Sequence, residues 1–330
     1  MDACLERLGG AARVAIATHE RPDGDAVGCC IALRRMLAAR GVDAAIVGLD
    51  QAPDRYGFLT EERFAGPGAA AAEGTAQQPD LAVVLDAGNL ERVPEAVRTW
   101  HGRVPMLDID HHPGNTQFGD VNLVDPGASS VGELLYRLAV RGGYPLDRET
   151  AIALWVAIVT DTGRFAHENT TPRALRIAAA LVEHGVPTAD IERKVYQSLP
   201  LSVLRLHARA IEHLAVEHDG KLAYTILGEE DYRATGCKPE DTEGIVDIPR
   251  AIAGVEVAVF FYALLDRPGL KASLRSNGAV DVGALCRRYD GGGHRAAAGC
   301  TLPDASPDTI REFLAAAFPG SSLSCPLRAG

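Results

Sequence analysis

Up to about residue 195 the chain alternates short apolar runs with longer stretches of helical period. Val14 to Thr18 (VAIAT) is a short, continuously apolar run, the pattern of a parallel strand buried on both faces. It breaks into the polar, turn-rich HERPDGD, after which AVGCCIALRRMLAARG has helical spacing with Gly41 as its stop. DAAIVGL predicts a second strand, LAVVLDAG (Leu81 to Gly88) a third and VPMLDID (Val104 to Asp110) a fourth. SSVGELLYRLAVRGG and RETAIALWVAIVTDTG read as helices, the second ending near Asp161. TPRALRIAAALVEHG follows as another, with Thr171 as cap and Pro172 in its first turn. Strand and helix in repeated alternation predict an α/β fold, a parallel sheet covered on both faces.

The pattern changes after about Val195. SLPLSVLRLHARAIEHL predicts a connecting helix, and KLAYTILGEEDY, VEVAVFFYALLD and GLKASLRSN read as strands of a second, smaller α/β unit. RRYDGGGHRAAAGCTL comes next, then a helix over DTIREFLAAAF and a tail with Gly, Ser and Pro. A chain of 330 residues is long for one core. The expected division is an N-terminal parallel-sheet domain over 1–195, a linker helix over 196–215 and a C-terminal domain over 216–330. Ala69 to Gly74 is alanine-rich but short.

Charge narrows the partners. The formal net charge is −11 and no basic run interrupts it, whereas proteins that track long nucleic acid neutralise phosphates with a basic stripe. A nucleotide substrate is then expected to be small, held by metal ions and a few local cations. No stretch approaches the roughly 20 apolar residues of a membrane span, and the N-terminus lacks the apolar core of a signal peptide, so the expected compartment is the cytoplasm. The seven cysteines are scattered and form no CxxC pair, which fits neither a disulfide framework nor a zinc ribbon; buried thiols are expected.

The candidate chemistry lies where the apolar runs end. VAIAT runs into His19, Asp23 and Asp25; LAVVL into Asp86; VPMLDI into Asp110, His111 and His112; WVAIVT into Asp161. Singly, Asp86 reads more readily as a cap or turn, Asp161 as a turn and His19 as a loop histidine, whereas Asp110 with two histidines is harder to dismiss, because burying three such groups is costly without partners. Together they deliver carboxylates and imidazoles from separate elements to the carboxyl edge of a parallel sheet, where ligands of such folds bind. Six ligands, mostly anionic and without thiolate, are too many for one ion and suit two divalent cations: Mn²⁺ first, with Mg²⁺, Co²⁺ or Zn²⁺ also accommodated. Two ions about 3.5–4 Å apart can share a carboxylate, generate hydroxide and stabilise both oxygens of an in-line displacement at phosphorus.

At these residues the sequence resembles the DHH phosphoesterase family. His19-x-x-x-Asp23-x-Asp25, Asp86, Asp110-His111-His112 and Asp161 match its four motifs, and THERPDGDAVG, LDAGNLER, IDHHPGN and TDTGRF are most similar to the NrnA-type group. The resemblance, which runs from about residue 10 to 305, implies that His19 and Asp23 hold one metal, Asp25, His111 and Asp161 the other, and that Asp86 bridges them. It implies further that His112 faces the substrate phosphate as hydrogen-bond donor or general acid, with Asp110 orienting the histidines. Cys29 and Cys30 stand where the family often has Ser or Thr, a position that reads as helix packing.

GGGHRAAAG (Gly291 to Gly299) is the second informative stretch. Its glycines allow close backbone approach to a ligand, and the alanines after them can start a helix whose N–H groups favour an anion. A flexible loop capped by a helix explains the same residues. The stretch also resembles the GGGHxxAAG signature of the DHH-associated C-terminal domain. That likeness implies substrate contacts from Gly292, Gly293 and His294, and from Arg275, Ser276 and Asn277 upstream. Arg275 suits bidentate phosphate binding, with a surface salt bridge as its other reading.

The resemblance implies hydrolysis of very short oligoribonucleotides to nucleoside monophosphates, with removal of the 3′-phosphate from 3′-phosphoadenosine 5′-phosphate as a related activity. Cyclic or linear dinucleotides such as c-di-AMP and pApA are the alternative substrates. Pyrophosphatases share the metal motifs but not the GGGH and RSN pattern, and a binding module without activity would be expected to have lost a ligand. Dimers are common among relatives, which makes a homodimer the assembly to look for.

Overall fold

In the computed structural model the described residues are 1–49, 51–60, 78–278 and 280–317. The alanine-rich Ala69 to Gly74, Cys325 and the tail lie outside them. The chain divides into two compact units, Met1–Ser198 and Leu199–Gly330.

The first unit is built on a five-stranded, all-parallel sheet. Its strands are β1 (Arg13–Ala17), β2 (Asp43–Ile46), β3 (Leu81–Leu85), β4 (Met106–Asp110) and β5 (Val121–Val124), in the order β2-β1-β3-β4-β5. Alternate residues face opposite layers, as the pleat requires. Val14, Ile16, Val83, Leu85, Leu107 and Ile109 join the larger core with the helices Gly24–Ala38, Val131–Gly142 and Arg148–Asp161. Ala15, Ala17, Ala82, Val84 and Met106 face a smaller cluster with Val93, Val97 and Val104. Both faces are therefore covered, which is why these strands read as unbroken apolar runs.

Four helices of this unit start on a side-chain cap, among them the expected Thr171. Asp23 accepts from Ala26 N, Ser130 from Glu133 N, Asp147 from Thr150 N and Thr171 from Ala174 N. Gly28 lets the Gly24–Ala38 helix lie against the Arg148–Asp161 helix: a Cβ there would stand 2.4 Å from Ala153 O. That contact fixes the two helix ends bearing Asp25 and Asp161 relative to each other. In this strand order the connections leave β1 and β3 in opposite directions. The switch point between them is where a ligand crevice forms.

The second unit carries a mixed six-stranded sheet, β10-β11-β9-β8-β7-β6. Its strands are β6 (Ala215–Glu217), β7 (Leu222–Leu227), β8 (Val257–Ala263), β9 (Leu270–Ser276), β10 (Gly292–Gly293) and β11 (Ala297–Leu302). Only β7 and β8 run parallel. One face packs on the helices Val282–Arg287 and Pro307–Ala317; Val203, Leu206 and Ala210 of the Leu201–Glu212 helix belong to a separate cluster with Leu227 and Phe260.

Two expectations are corrected. The alanines after GGGHR form strand β11 rather than a helix, because cross-strand pairing with β9 outweighs the helical preference of alanine. KLAYTILGEEDY is not strand throughout. It turns at Gly228, whose N–H donates to Asp231 Oδ2 at 2.9 Å, and enters a helix over Glu229–Thr235. Strands β5 and β6, of four and three residues, are too short to show a period. The six described cysteines are free and buried. Among the described residues no helix is long and apolar enough to cross a membrane.

Candidate metal centre

The sequence places Thr18 and His19 directly after β1, Asp86 after β3, and Asp110 at the end of β4. The fold brings them together with the first turn of the Gly24–Ala38 helix and the last residue of the Arg148–Asp161 helix. Among the sets of donor atoms that result, two are the expected ligand groups. His19, Asp23 and Asp86 form one and Asp25, His111 and Asp161 the other, with ligand atoms within 4.8 Å of one another in each.

Asp86 stands between the sets. Its Oδ2 lies 3.6 Å from His19 Nε2, and its Oδ1 lies 3.7 Å from His111 Nε2 and 3.5 Å from His112 Nδ1. The residue has φ +59°, a left-handed backbone uncommon outside glycine. Asp86 Oδ1 is sealed from solvent with no hydrogen-bond partner. Burial works to raise this carboxyl, but His19, His112 and His111 outweigh it and hold it below its ordinary value.

The second set is oriented by backbone. Asp25 accepts from Val131 N at 2.7 Å and Gly132 N at 3.0 Å, the start of the Val131–Gly142 helix. Burial and the nearby Asp86, Asp161 and Asp23 charges push Asp25 well above its ordinary value. His111 Nδ1 donates to Ala128 O at 3.3 Å, which turns Nε2 toward Asp161 Oδ2, 3.5 Å away. Burial raises the Asp161 carboxyl, and despite His111 it reaches about 6. His111 itself is raised: burial opposes the shift, but Asp161, Asp86 and Asp110 prevail.

His112 is the histidine with room to meet a substrate, its side chain 17% exposed against 3% for His111. Its Nδ1 donates to Asp110 Oδ1 at 2.7 Å. Asp110, fully buried, also accepts from His111 N at 2.8 Å and, through Oδ2, from Asn115 Nδ2 at 2.7 Å. Burial would raise the Asp110 carboxyl, but these contacts hold it well below the usual range. Burial would lower His112, but Asp110 and Asp86 keep it raised.

The second unit places the glycine-rich stretch in a tight hairpin. Gly292 pairs with Gly299 and Gly293 with Ala298, and the turn closes by His294 N donating to Ala297 O at 2.7 Å. Gly293 has φ +132°, and a Cβ there would lie 2.5 Å from Ala297 O. The glycine is thus required by strand-to-strand approach. Arg275 pairs with Ala297, and Ser276 N donates to Ala296 O at 2.8 Å, so the end of β9 lies beside that turn. Ser276 is buried. Asn277 is held in place by its own unit, accepting from Arg250 Nε at 2.9 Å and donating to Arg250 O and Val255 O.

Residues 13–160 match the DHH family, N-terminal domain, and residues 219–318 the DHHA1 domain. The bifunctional oligoribonuclease and PAP phosphatase NrnA of Thermus thermophilus is 33% identical over 302 residues, covering 90% of this chain and 86% of the relative. The chain belongs to the DHH phosphoesterase family. The NrnA protein of Bacillus subtilis, described by the same name, is 27% identical to this DHH chain, with 86% of this chain and 87% of the relative covered. The crystal structure of an exopolyphosphatase-related protein from Bacteroides fragilis matches with a TM-score of 0.84 at 27% identity, covering 96% of this chain and 94% of its own.

The DHH centre fits metal ions. An unsatisfied, buried Asp86 oxygen costs free energy unless a cation meets it, and an all-oxygen and imidazole donor set suits Mn²⁺-type ions. Several residues that serve the DHH centre are silent in the sequence. Asn115 steadies Asp110. Asn169 Nδ2 reaches Asp161. Cys29, read as helix packing, also places its Sγ 3.2 Å from Asp25 Oδ1; burial pushes its thiol well up, so it stays S–H and donates. Asn and Cys are common in turns and cores, and no spacing singles these out.

Proposed function

We propose that the chain is a two-metal phosphodiesterase that degrades very short oligoribonucleotides to nucleoside monophosphates and also removes the 3′-phosphate of 3′-phosphoadenosine 5′-phosphate. The observation that carries this reading is Asp86, a buried carboxylate with one oxygen toward each of two donor sets. His19 and Asp23 would hold one ion and Asp25, His111 and Asp161 the other. Bound there, the pair supplies Lewis-acid activation of water and charge stabilisation at phosphorus.

The chain's own residues supply the rest. With Nδ1 donating to Asp110, the His112 ring is held in one orientation and its value is raised, as a general acid for the leaving oxygen requires. Asp110, anchored by Asn115, fixes that ring orientation. Arg275, Ser276, Asn277, Gly292, Gly293 and His294 are assigned to substrate contact, where Arg275 offers a planar fork to a phosphate. The activities named for the NrnA relatives support this choice of substrate. An Mn²⁺-titrated assay against pApA, pAp, cyclic di-AMP and pyrophosphate tests it. Turnover of pApA and pAp is expected; preference for pyrophosphate or cyclic di-AMP, or no turnover of any, overturns it.

A further inference from the structure

One stretch of five residues, Ala128 to Gly132, bonds directly to two side chains of the Asp25–His111–Asp161 set and to the third through Asn169. Ala128 O accepts from His111 Nδ1, and Val131 N and Gly132 N donate to Asp25. The third link runs through Asn169, whose Nδ2 donates to Ser129 O at 2.8 Å, Asp161 O at 3.1 Å and Asp161 Oδ2 at 3.3 Å. All three partners are acceptors, which settles that the amide nitrogen faces them. The other end of the same amide, Oδ1, is sealed from solvent with no hydrogen-bond partner. An apolar side chain would avoid that cost, so the contribution of Asn169 lies in its N–H contacts.

The backbone supports this placement. Arg164 and Phe165, between Asp161 and Asn169, are both left-handed, with φ +61° and +63°. Consecutive non-glycine residues in that region hold only where their surroundings enforce it. Here Phe165 N donates to Thr162 Oγ1 at 3.2 Å, and the Phe165 ring meets Trp155 edge-on at 5.8 Å. The receiving stretch is clamped as well. Buried Glu133 accepts from Ser129 N at 3.1 Å, Ser129 Oγ at 3.0 Å and Arg173 Nε, and Arg173 Nη2 donates to Gly127 O at 3.0 Å. The other donor set has its anchors elsewhere: Asp23 accepts from Ala26 N, and Asp86 N donates to Ile109 O.

We infer that Asn169 is a positioning residue that ties Asp161 to the Ala128–Gly132 stretch and thereby sets affinity at one of the two ions while leaving the other alone. The inference rests on the two-metal reading. Calorimetric titration of the EDTA-stripped full chain with Mn²⁺ tests both, with Asn169→Ala and the isosteric Asn169→Asp, which keeps the shape but turns the donor into an acceptor. The wild type is expected to take up two ions. Each variant should weaken one step by about 10–100-fold and leave the other unchanged. Raising Mn²⁺ should restore the kcat of Asn169→Ala. The weakened step should be the one lost in Asp161→Ala rather than in His19→Ala, and Asn169→Ala added to Asp161→Ala should weaken nothing further.

A merely structural role would lower the melting temperature of the stripped protein and leave both steps intact. That result, or equal weakening of both steps, overturns the inference. A wild type that binds fewer than two ions overturns the two-metal reading instead.

Discussion

The two units differ in how their motif residues are held. The DHH unit gathers ionisable side chains at the carboxyl ends of parallel strands and orients both histidines of its third motif by hydrogen bonds, as Asp110 does His112 and Ala128 does His111. The DHHA1 unit clears side chains away, so that β10 can close on β11 with only a glycine at position 293. Chemistry held by side chains is lost one group at a time. A shape made by backbone is lost all at once when an atom is added.

Asp86→Ala should break this contrast on the side-chain side with the largest effect. Activity on every substrate should fall by at least on the order of 10³-fold, and Mn²⁺ binding should weaken at both steps in a calorimetric titration. Substantial residual turnover would sink the shared-carboxylate arrangement.

Next comes Gly293→Ala, the backbone counterpart. A Cβ that meets Ala297 O at 2.5 Å on a backbone at φ +132° should cost about 3 kcal/mol or more in chemical denaturation. Mn²⁺ affinity should not change, since the donor sets lie in the other unit. Loss of metal binding would mean that the units are not energetically separate.

Asp108 sharpens the comparison from inside the DHH unit. It is fully buried on β4, and burial with the Asp110 charge, opposed by Asn115 and His112, pushes its carboxyl up to about 7. The folded state therefore binds a proton that the unfolded chain releases near pH 4, and stability should fall as pH rises between about 4 and 7. Asp108→Asn should raise the unfolding free energy of the metal-free protein by about 2 kcal/mol at pH 8 and by little at pH 4. Equal effects at both pH values would refute this account.

The smallest effects are expected from Arg275→Ala and His294→Ala. Steady-state kinetics should show KM raised about tenfold, roughly 1.4 kcal/mol, with two ions still bound. A collapse of metal occupancy would contradict the division of labour between the units.

The DHH centre was legible because its residues end apolar runs. A histidine or aspartate directly after a buried strand has few bland explanations once four elements do the same. The DHHA1 hairpin was less so: GGGH was visible as a motif, but alanine is a helix former, and only pairing with β9 makes Ala297–Leu302 a strand. Hidden altogether were the partners that orient the ligands. Asn115, Asn169 and the carbonyl of Ala128 act through positions that only the tertiary fold brings close. A backbone carbonyl has no signature in a sequence at all.

One consequence follows from the crowding of acids and imidazoles around Asp86. With Asp25 and Asp161 raised by burial and neighbouring charge, and His111 raised by its carboxylate neighbours, these metal-free groups hold their protons to higher pH than they would in water. Metal binding at these groups would then be coupled to proton release. Acidification should act on this protein as a competitor for the same seats, and the heat of loading should track the ionisation enthalpy of whichever buffer receives the evicted protons.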